Sequence, residues 1–242
     1  MPTPPDVLAA MLRSDPARPR VTCYDDTPGP TQGERIELSA KVLANWTSKA
    51  ANALQEEWDL GPGSTVRLAL PPHWRSLYWA LATWSIGATV VLDDEPTDLL
   101  VTDDRSLLGD ASTPAVLVTL AGLARSAPDA VPAGVMDEAR ELSTYADQFA
   151  AWEEPSTTDP ALRLGGSTGG GGTRVWAYEA VVPQRDWPQG VRLHTVTTSL
   201  SLLLADALGA WVLDGSLVLS RGPEPQGGRA ARLESEGVTL AL

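Results

Sequence analysis

The hydrophobic pattern of this chain changes period several times, and each change marks an element. After Pro5 and Asp6, a short apolar stretch through Leu12 has helical spacing. Two alternating runs, 21–24 and 34–38, flank the turn-rich segment TPGPTQG and predict a β-hairpin. Ser39 then reads as the N-cap of a helix to about Trp58, because Val42, Leu43, Trp46, Ala50, Ala53 and Leu54 recur at helical intervals. Gly61-Pro62-Gly63 stops it.

The clearest organisation follows. A strand over 65–70, a helix over 74–86 and a strand over 88–92 form a βαβ unit, which implies a parallel sheet. The segments 99–102 and 115–119 are almost wholly apolar and read as strands buried on both faces. A helix is expected over 137–150 and a linker over 151–160. A strand at 162–164 then runs into the glycine-rich GGSTGGGGT. A long helix over 198–213, a break at Gly215 and a strand over 216–220 come next. A helix over 228–235 and a strand over 238–242 complete the pattern. Alternating strands and helices argue for an α/β class and one domain over 1–242, with a sub-boundary in 151–160.

Composition narrows the function. Eighteen Lys and Arg stand against 31 Asp and Glu, a net charge of −13, and no basic cluster is visible. A polyanionic duplex would be repelled, so no nucleic-acid partner is expected, nor attraction to an anionic membrane. Cys23 is the only cysteine, which excludes an internal disulfide and a cysteine zinc cluster; it lies in a strand pattern and reads as an inert core residue. His73 and His194 are the only histidines, which excludes a His-rich metal site; carboxylate sites for a hard cation remain open, but no loop has calcium-ligand spacing and no metal residue is assigned. His73 follows Pro72 at a helix start and reads as a surface residue; His194 reads as a strand or loop residue with a structural hydrogen bond. The N-terminus lacks the charged start and apolar core of a signal peptide, and no apolar stretch is long enough to span a bilayer. A cytoplasmic location is the expectation. Of the nine tryptophans, Trp74 and Trp84 share a helical face with Leu77 and Leu81, and burial is expected. The acidic group Asp93, Asp94, Glu95, Asp98, Asp103 and Asp104 reads as solvating loops at a sheet edge.

The order of these signals resembles a known family. Ile36-Glu37-Leu38 before the Ser39 helix is similar to the "L-T-Y-x-E-L" opening of the AMP-forming superfamily of acyl-CoA synthetases, luciferases and nonribosomal adenylation domains. LGPGSTVRLALPPHWRSLYWALATWSIGATVVL resembles its "V-x-P-G-D-x-V-A-I-x-L-P-N…G-A-x-x-V" segment, with Gly61, Pro62, Gly63, Val66, Leu70, Pro71, Ala80, Gly87 and Ala88 on the pattern. LLLADALGAWVLDGSLVL resembles the family helix that ends in "L-x-x-G-A-x-x-V". The likeness runs from about Ala17 onward and also points to a short actinobacterial family of front-half proteins. It implies an α/β N-terminal domain of this superfamily, truncated, with parallel-rich sheets flanked by helices and an N-terminal β-hairpin.

The superfamily's phosphate loop, "[Y/F]-T-S-G-[S/T]-T-G-x-P-K-G", uses glycines to bring backbone N–H groups to ATP phosphates, with a lysine adding charge. The corresponding residues here are Ser167, Thr168, Gly169, Gly170, Thr173 and Arg174, and two registers fit equally well. The Pro-Lys pair is absent; Arg174 replaces the charge only after a shift in register. A Walker A loop is excluded because no Gly-Lys-Ser/Thr follows. Gly165-Gly166-Ser167-Thr168-Gly169 also matches the hydrolase nucleophile elbow, but the following glycines are among the worst helix starts, and Asp186 and His194 lie too close in sequence to complete a triad.

The resemblance places the adenine pocket, the metal-associated acid and the catalytic lysine of the superfamily beyond Leu242. The expectation is therefore a catalytically incomplete binding or interaction protein with at most weak ATP or AMP binding. The alternative is an AMP-forming acyl or aryl ligase component that needs a partner supplying the missing machinery. A scaffold cut short also leaves edges that a second copy or a protein partner would cover.

Overall fold

The computed structural model describes residues 1–109, 113–165, 172–223 and 228–242. Two sheets enclose a helical layer. The seven-stranded sheet contains β3 (Thr65–Ala69), β4 (Thr89–Val91), β5 (Leu99–Thr102), β6 (Ala115–Leu117), β7 (Val135–Asp137), β8 (Pro160–Leu164) and β9 (Arg174–Ala177), in the order β7-β6-β5-β3-β4-β8-β9. The five-stranded sheet contains β1 (Pro19–Asp25), β2 (Glu34–Ser39), β10 (Arg192–Thr195), β11 (Ser216–Arg221) and β12 (Leu240–Ala241), in the order β12-β10-β11-β1-β2. Each sheet is parallel except for one hairpin at its edge, β1–β2 in one and β8–β9 in the other. This is the expected α/β architecture with parallel-rich sheets and an N-terminal hairpin.

The helices are α1 (Pro4–Ser14), α2 (Ala40–Trp58), α3 (Trp74–Ser85), α4 (Glu138–Glu141), α5 (Leu200–Trp211) and α6 (Arg229–Ser235). Their starts follow capping chemistry. Thr3 and Asp6 form a capping box on α1, and the Ser39 hydroxyl accepts from the Val42 N–H at the start of α2. Helix α3 is buried from Trp74 through Trp84 because it touches β1 of one sheet and β3 and β4 of the other. Trp79, Trp84 and Trp211 are fully buried; the Trp84 indole donates to the Ala161 carbonyl at 2.8 Å and that of Trp211 to the Arg20 carbonyl at 3.1 Å. Trp152, by contrast, is exposed.

Two expectations fail. The helix expected over 137–150 is only α4 followed by a 3-10 turn, Leu142–Thr144. Beyond it, the chain runs without regular structure and is strapped to α2. Asn52 donates to the carbonyls of Ala146 and Gln148, Lys49 to those of Ser143 and Tyr145, and Gln55 bonds both Ala150 and Trp152. Three side chains of one helix thus satisfy backbone groups that a second helix would have satisfied internally. His73 is the other correction: it is buried, not a surface residue, and its Nδ1 caps α3 by accepting from the Arg75 N–H at 3.3 Å. The strands β7, β9 and β10 were not set apart by the hydrophobic pattern. Residues on both sides of 151–160 contribute to the same seven-stranded sheet.

The two faces of the seven-stranded sheet differ. Val66, Leu68, Leu99, Val101, Val116 and Met136 point to the helical layer and join the main core. On the outer face, register aligns Arg67, Leu100, Ala115 and Val135 in one row. That face carries no helix among the described residues. Seven residues, 92–98, connect β4 to β5, and among the described residues between β5 and β6 the only helical piece is the 3-10 turn Arg105–Leu107.

Candidate functional site

The glycine-rich segment falls in sequence between β8 and β9, and β8 lies next to β4 with its end at the carboxyl end of the parallel strands. Leu164 pairs with Arg174, so the hairpin arms close on a loop of residues 165–173. Its base is fixed by Tyr178, whose hydroxyl donates to the carbonyls of Trp84 at 3.2 Å and Ala88 at 2.8 Å. At the mouth, Arg163 grips Asp93 through Nε and Nη2, both at 3.2 Å. A Cβ added to Gly165 would stand 2.5 Å from that of Asp93, so glycine is required for the strand end to pass the carboxylate. Arg174 lies with its guanidinium 4.8 Å from the Trp176 ring centre. Thr173 is exposed. Ser167, Thr168, Gly169 and Gly170 lie outside the described residues.

A second polar group lies inside the protein, at the start of α3. The Arg75 Nη1 reaches Glu138 Oε1 at 2.8 Å, its Nη2 the Ala121 carbonyl at 3.0 Å, and the Tyr78 hydroxyl donates to the same glutamate oxygen. Trp46 stacks on Tyr78 with ring centres 5.9 Å apart, and Arg75 lies over Trp74 at 4.4 Å. Burial pushes the Glu138 carboxyl above its usual range against the pull of Arg75 and Tyr78; burial and Glu138 push the Tyr78 phenol up. Glu138 Oε2, Arg75 Nε and the Trp74 indole nitrogen find no hydrogen-bond partner. The arrangement ties α3 to α4 and to the turn at Ala121, which makes it a clamp between elements.

Between the sheets, Arg221 at the end of β11 pairs with Asp25 at 2.5 Å. Burial, then Arg221 and Arg75, holds His73 well below the usual imidazole range, while burial raises the Asp103 carboxyl. Burial also pushes the Cys23 thiol up to about 12, so it is protonated and unreactive at neutral pH. On the outer face of the five-stranded sheet, Glu236 accepts from Tyr24 at 2.5 Å, Arg35 at 2.9 Å and Arg192 at 2.5 Å. Burial alone would raise its carboxyl; these three donors hold it down to about 2. His194 meets Ser220 at 3.1 Å and Arg229 at 3.2 Å, and burial with the two cations Arg229 and Arg232 lowers it to about 4.

No family model matches the chain. A Mycobacterium tuberculosis protein described as a "TIGR03089 family protein" is 40% identical over 157 residues, which make up 62% of this chain and 63% of that protein. Among solved structures, the inhibitor-bound N-terminal domain of FACL13 from M. tuberculosis superposes with a TM-score of 0.73 over all of this chain and 62% of its own, at 12% identity. A Brucella canis acyl-CoA synthetase gives 0.71 over 97% of this chain and 46% of its own, at 16% identity. The Klebsiella oxytoca NpsA N-terminal subdomain gives 0.65 over all of this chain and 61% of its own, at 19% identity. The fold is that of the N-terminal domain of adenylate-forming enzymes. The chain spans less than two thirds of each of these relatives.

Within this adenylate-forming fold, the segment that resembles the phosphate loop joins β8 to β9, and of its expected residues Thr173 and Arg174 are brought to the hairpin mouth. The chain's lysines are Lys41 and Lys49, both on α2, so no register of the loop places a lysine there. Residue-level reading missed Asp93, Arg163 and the Arg75–Tyr78–Glu138 group. Asp93 was legible only as one of several loop acids, and Arg75 and Glu138 are far apart in sequence with no local pattern to link them. Asp94 pairs with Arg67, Asp98 accepts from the Thr65 N–H at 2.7 Å, and Asp104 caps a 3-10 turn, so these loop acids are bonded within the protein as well as solvated. Among the described residues, no three His, Cys, Asp or Glu side chains gather to hold a metal ion. No helix among them is long and apolar enough to cross a membrane.

Proposed function

We propose that this chain is a binding or interaction protein built on the front lobe of an adenylate-forming scaffold. Its hairpin loop is a weak anion site, and the chain does not adenylate a carboxylate by itself. The observation that carries this reading is the charge at the hairpin mouth. The cation beside the loop, Arg163, is held by Asp93, whose carboxylate packs against Gly165 at the loop's first residue. Arg174 is drawn over Trp176, and no lysine is available. Adenylyl transfer needs preorganised positive charge around the triphosphate, and a carboxylate at the entrance opposes it. The glycine backbone still offers N–H donors, which support weak binding of phosphate, AMP or ATP.

A second reading, a ligase component completed by a partner, is favoured by Arg174 at the first position of β9, an exposed cation that a partner could draw off Trp176. Calorimetric titration with ATP and AMP, beside an ATP–pyrophosphate exchange assay with fatty and aryl acids, separates the two. The expected result is millimolar binding at best and no exchange. Exchange above background by the purified chain overturns the proposal. Exchange that appears only when a separate protein is added establishes the second reading.

A further inference from the structure

Among the described residues no helix lies across the outer face of the seven-stranded sheet, although Trp58 at the end of α2 reaches its rim. Parallel strands in α/β proteins are normally covered by helices on both faces, because the crossover between consecutive strands contains one. Here the crossover from β4 to β5 passes β3 in the seven residues 92–98, too few for a helix. What remains is a trough of about 700 Å³, floored by Leu100 and Ala115, walled by Leu107, Pro132 and Val135, and edged by Asp94 and Glu95. Leu100 and Ala115 are buried yet stand outside the main core, a small apolar strip of their own. Leu107 on the wall is 39% exposed.

The charge around the trough selects the occupant. Arg67, its one cation, is engaged by Asp94, whose carboxylate is nonetheless 93% exposed, and Glu95 is exposed beside it. At the far side of Pro132–Val135, a second hollow carries Glu57, Glu141 and Arg140, with Arg140 held by Glu141 at 2.7 Å. The floor is apolar, and the rim acids Asp94, Glu95, Glu57 and Glu141 outnumber the cations Arg67, Arg140 and the exposed Arg105 beside Leu107. A second copy of this chain, at net charge −13, brings more of the same sign.

We propose that this trough docks an amphipathic helix with basic flanks, supplied by a partner protein and lying across β3, β5, β6 and β7 on the face that crossover helices cover in other α/β proteins. The span of these strands is about 15 Å, the length of a helix of roughly ten residues. An apolar stripe would cover Leu100, Ala115 and Leu107, and Lys or Arg beside it would face Asp94 and Glu95. This deepens the interaction half of the function proposed above and is independent of the anion site, so nucleotide titrations and helix docking fail separately.

The test uses the full chain and a fluorescent peptide of about fourteen residues, with leucines at helical spacing and lysines elsewhere, beside a scrambled peptide of equal composition. In anisotropy titrations at about 0.15 M salt, the patterned peptide is expected to bind about tenfold tighter than the scramble. Leu107→Glu and Glu95→Lys, both at exposed positions that keep the fold, are each expected to remove most of that difference. Equal binding of the two peptides, or binding that neither variant weakens, overturns the proposal. Sedimentation showing a dimer that Leu107→Glu splits also overturns it, since the occupant would then be a second copy.

Discussion

At the scale of single residues, the Arg75–Tyr78–Glu138 group shows how burial turns an ion pair into an obligation. Neither charged side chain is more than 4% exposed, so each depends on the other for what water would have supplied. Glu138→Ala leaves the Arg75 guanidinium buried with the Ala121 carbonyl and the Tyr78 hydroxyl as its remaining partners. The expected loss is about 3–5 kcal/mol in urea unfolding. The double replacement Arg75→Met with Glu138→Leu removes both charges and is expected to recover most of that loss. If the single and double variants are equally unstable, the pair's role is packing and not charge.

At the scale of elements, the strap from Leu142 to Trp152 is open to perturbation through α2, because side chains of that helix hold it in place of its own backbone pairing. Asn52→Ala removes two donors at once and leaves the carbonyls of Ala146 and Gln148 to water. Hydrogen exchange at 145–152 is expected to rise about tenfold, with the strands β3 to β6 unaffected. Uniform acceleration across the protein would show instead that the strap is part of the global core.

The same segment shows where residue patterns stop being informative. The βαβ unit at 65–91 was legible because Gly87 and an apolar run mark its limits locally. The strap was not, since Leu142, Tyr145 and Phe149 mimic helical spacing while the partners that decide its conformation lie about ninety residues earlier on α2. The short strands β7 and β10 escaped for a related reason: three or four residues carry too little periodicity, and pairing with β6 or β11 defines them. His73 read as exposed because Pro-His before a helix is usually a surface turn, whereas here the turn is enclosed between two sheets. The candidate site was legible as a glycine-rich loop with a missing lysine. Asp93 at its entrance was not, because only the sheet brings residue 93 to residue 165.

At the scale of the whole molecule, acid sensitivity follows from groups spread over both sheets. Both histidines have folded-state values below the 6.5 of an unfolded imidazole, His194 at about 4. The stability they contribute is therefore fully present above pH 6.5 and lost as pH falls through their folded values. Glu236 acts in the same direction: held at about 2 against 4.5 when unfolded, it contributes above pH 4.5 and loses that contribution as pH falls towards 2. The raised carboxyls Glu138, Asp103 and Asp206 oppose this, since what they contribute is present in acid and lost as pH rises through their folded values. The decisive measurement is an NMR titration of the two imidazole C2 protons. Neither is expected to move between pH 7 and 5, and a midpoint near 6.5 for either would contradict its burial beside arginine side chains.

The pairing of β1 with β11 joins Val21 to Leu217, almost the two ends of the chain. A polypeptide leaving the ribosome would display its first hairpin long before the strand that must lie beside it has been made. The seven-stranded sheet can close once β9 has emerged, yet α3, which it shares with β1, would still present its second apolar side to the surroundings. Until β11 has been made, the most tryptophan-rich helix among the described residues therefore depends on whatever shelters nascent chains.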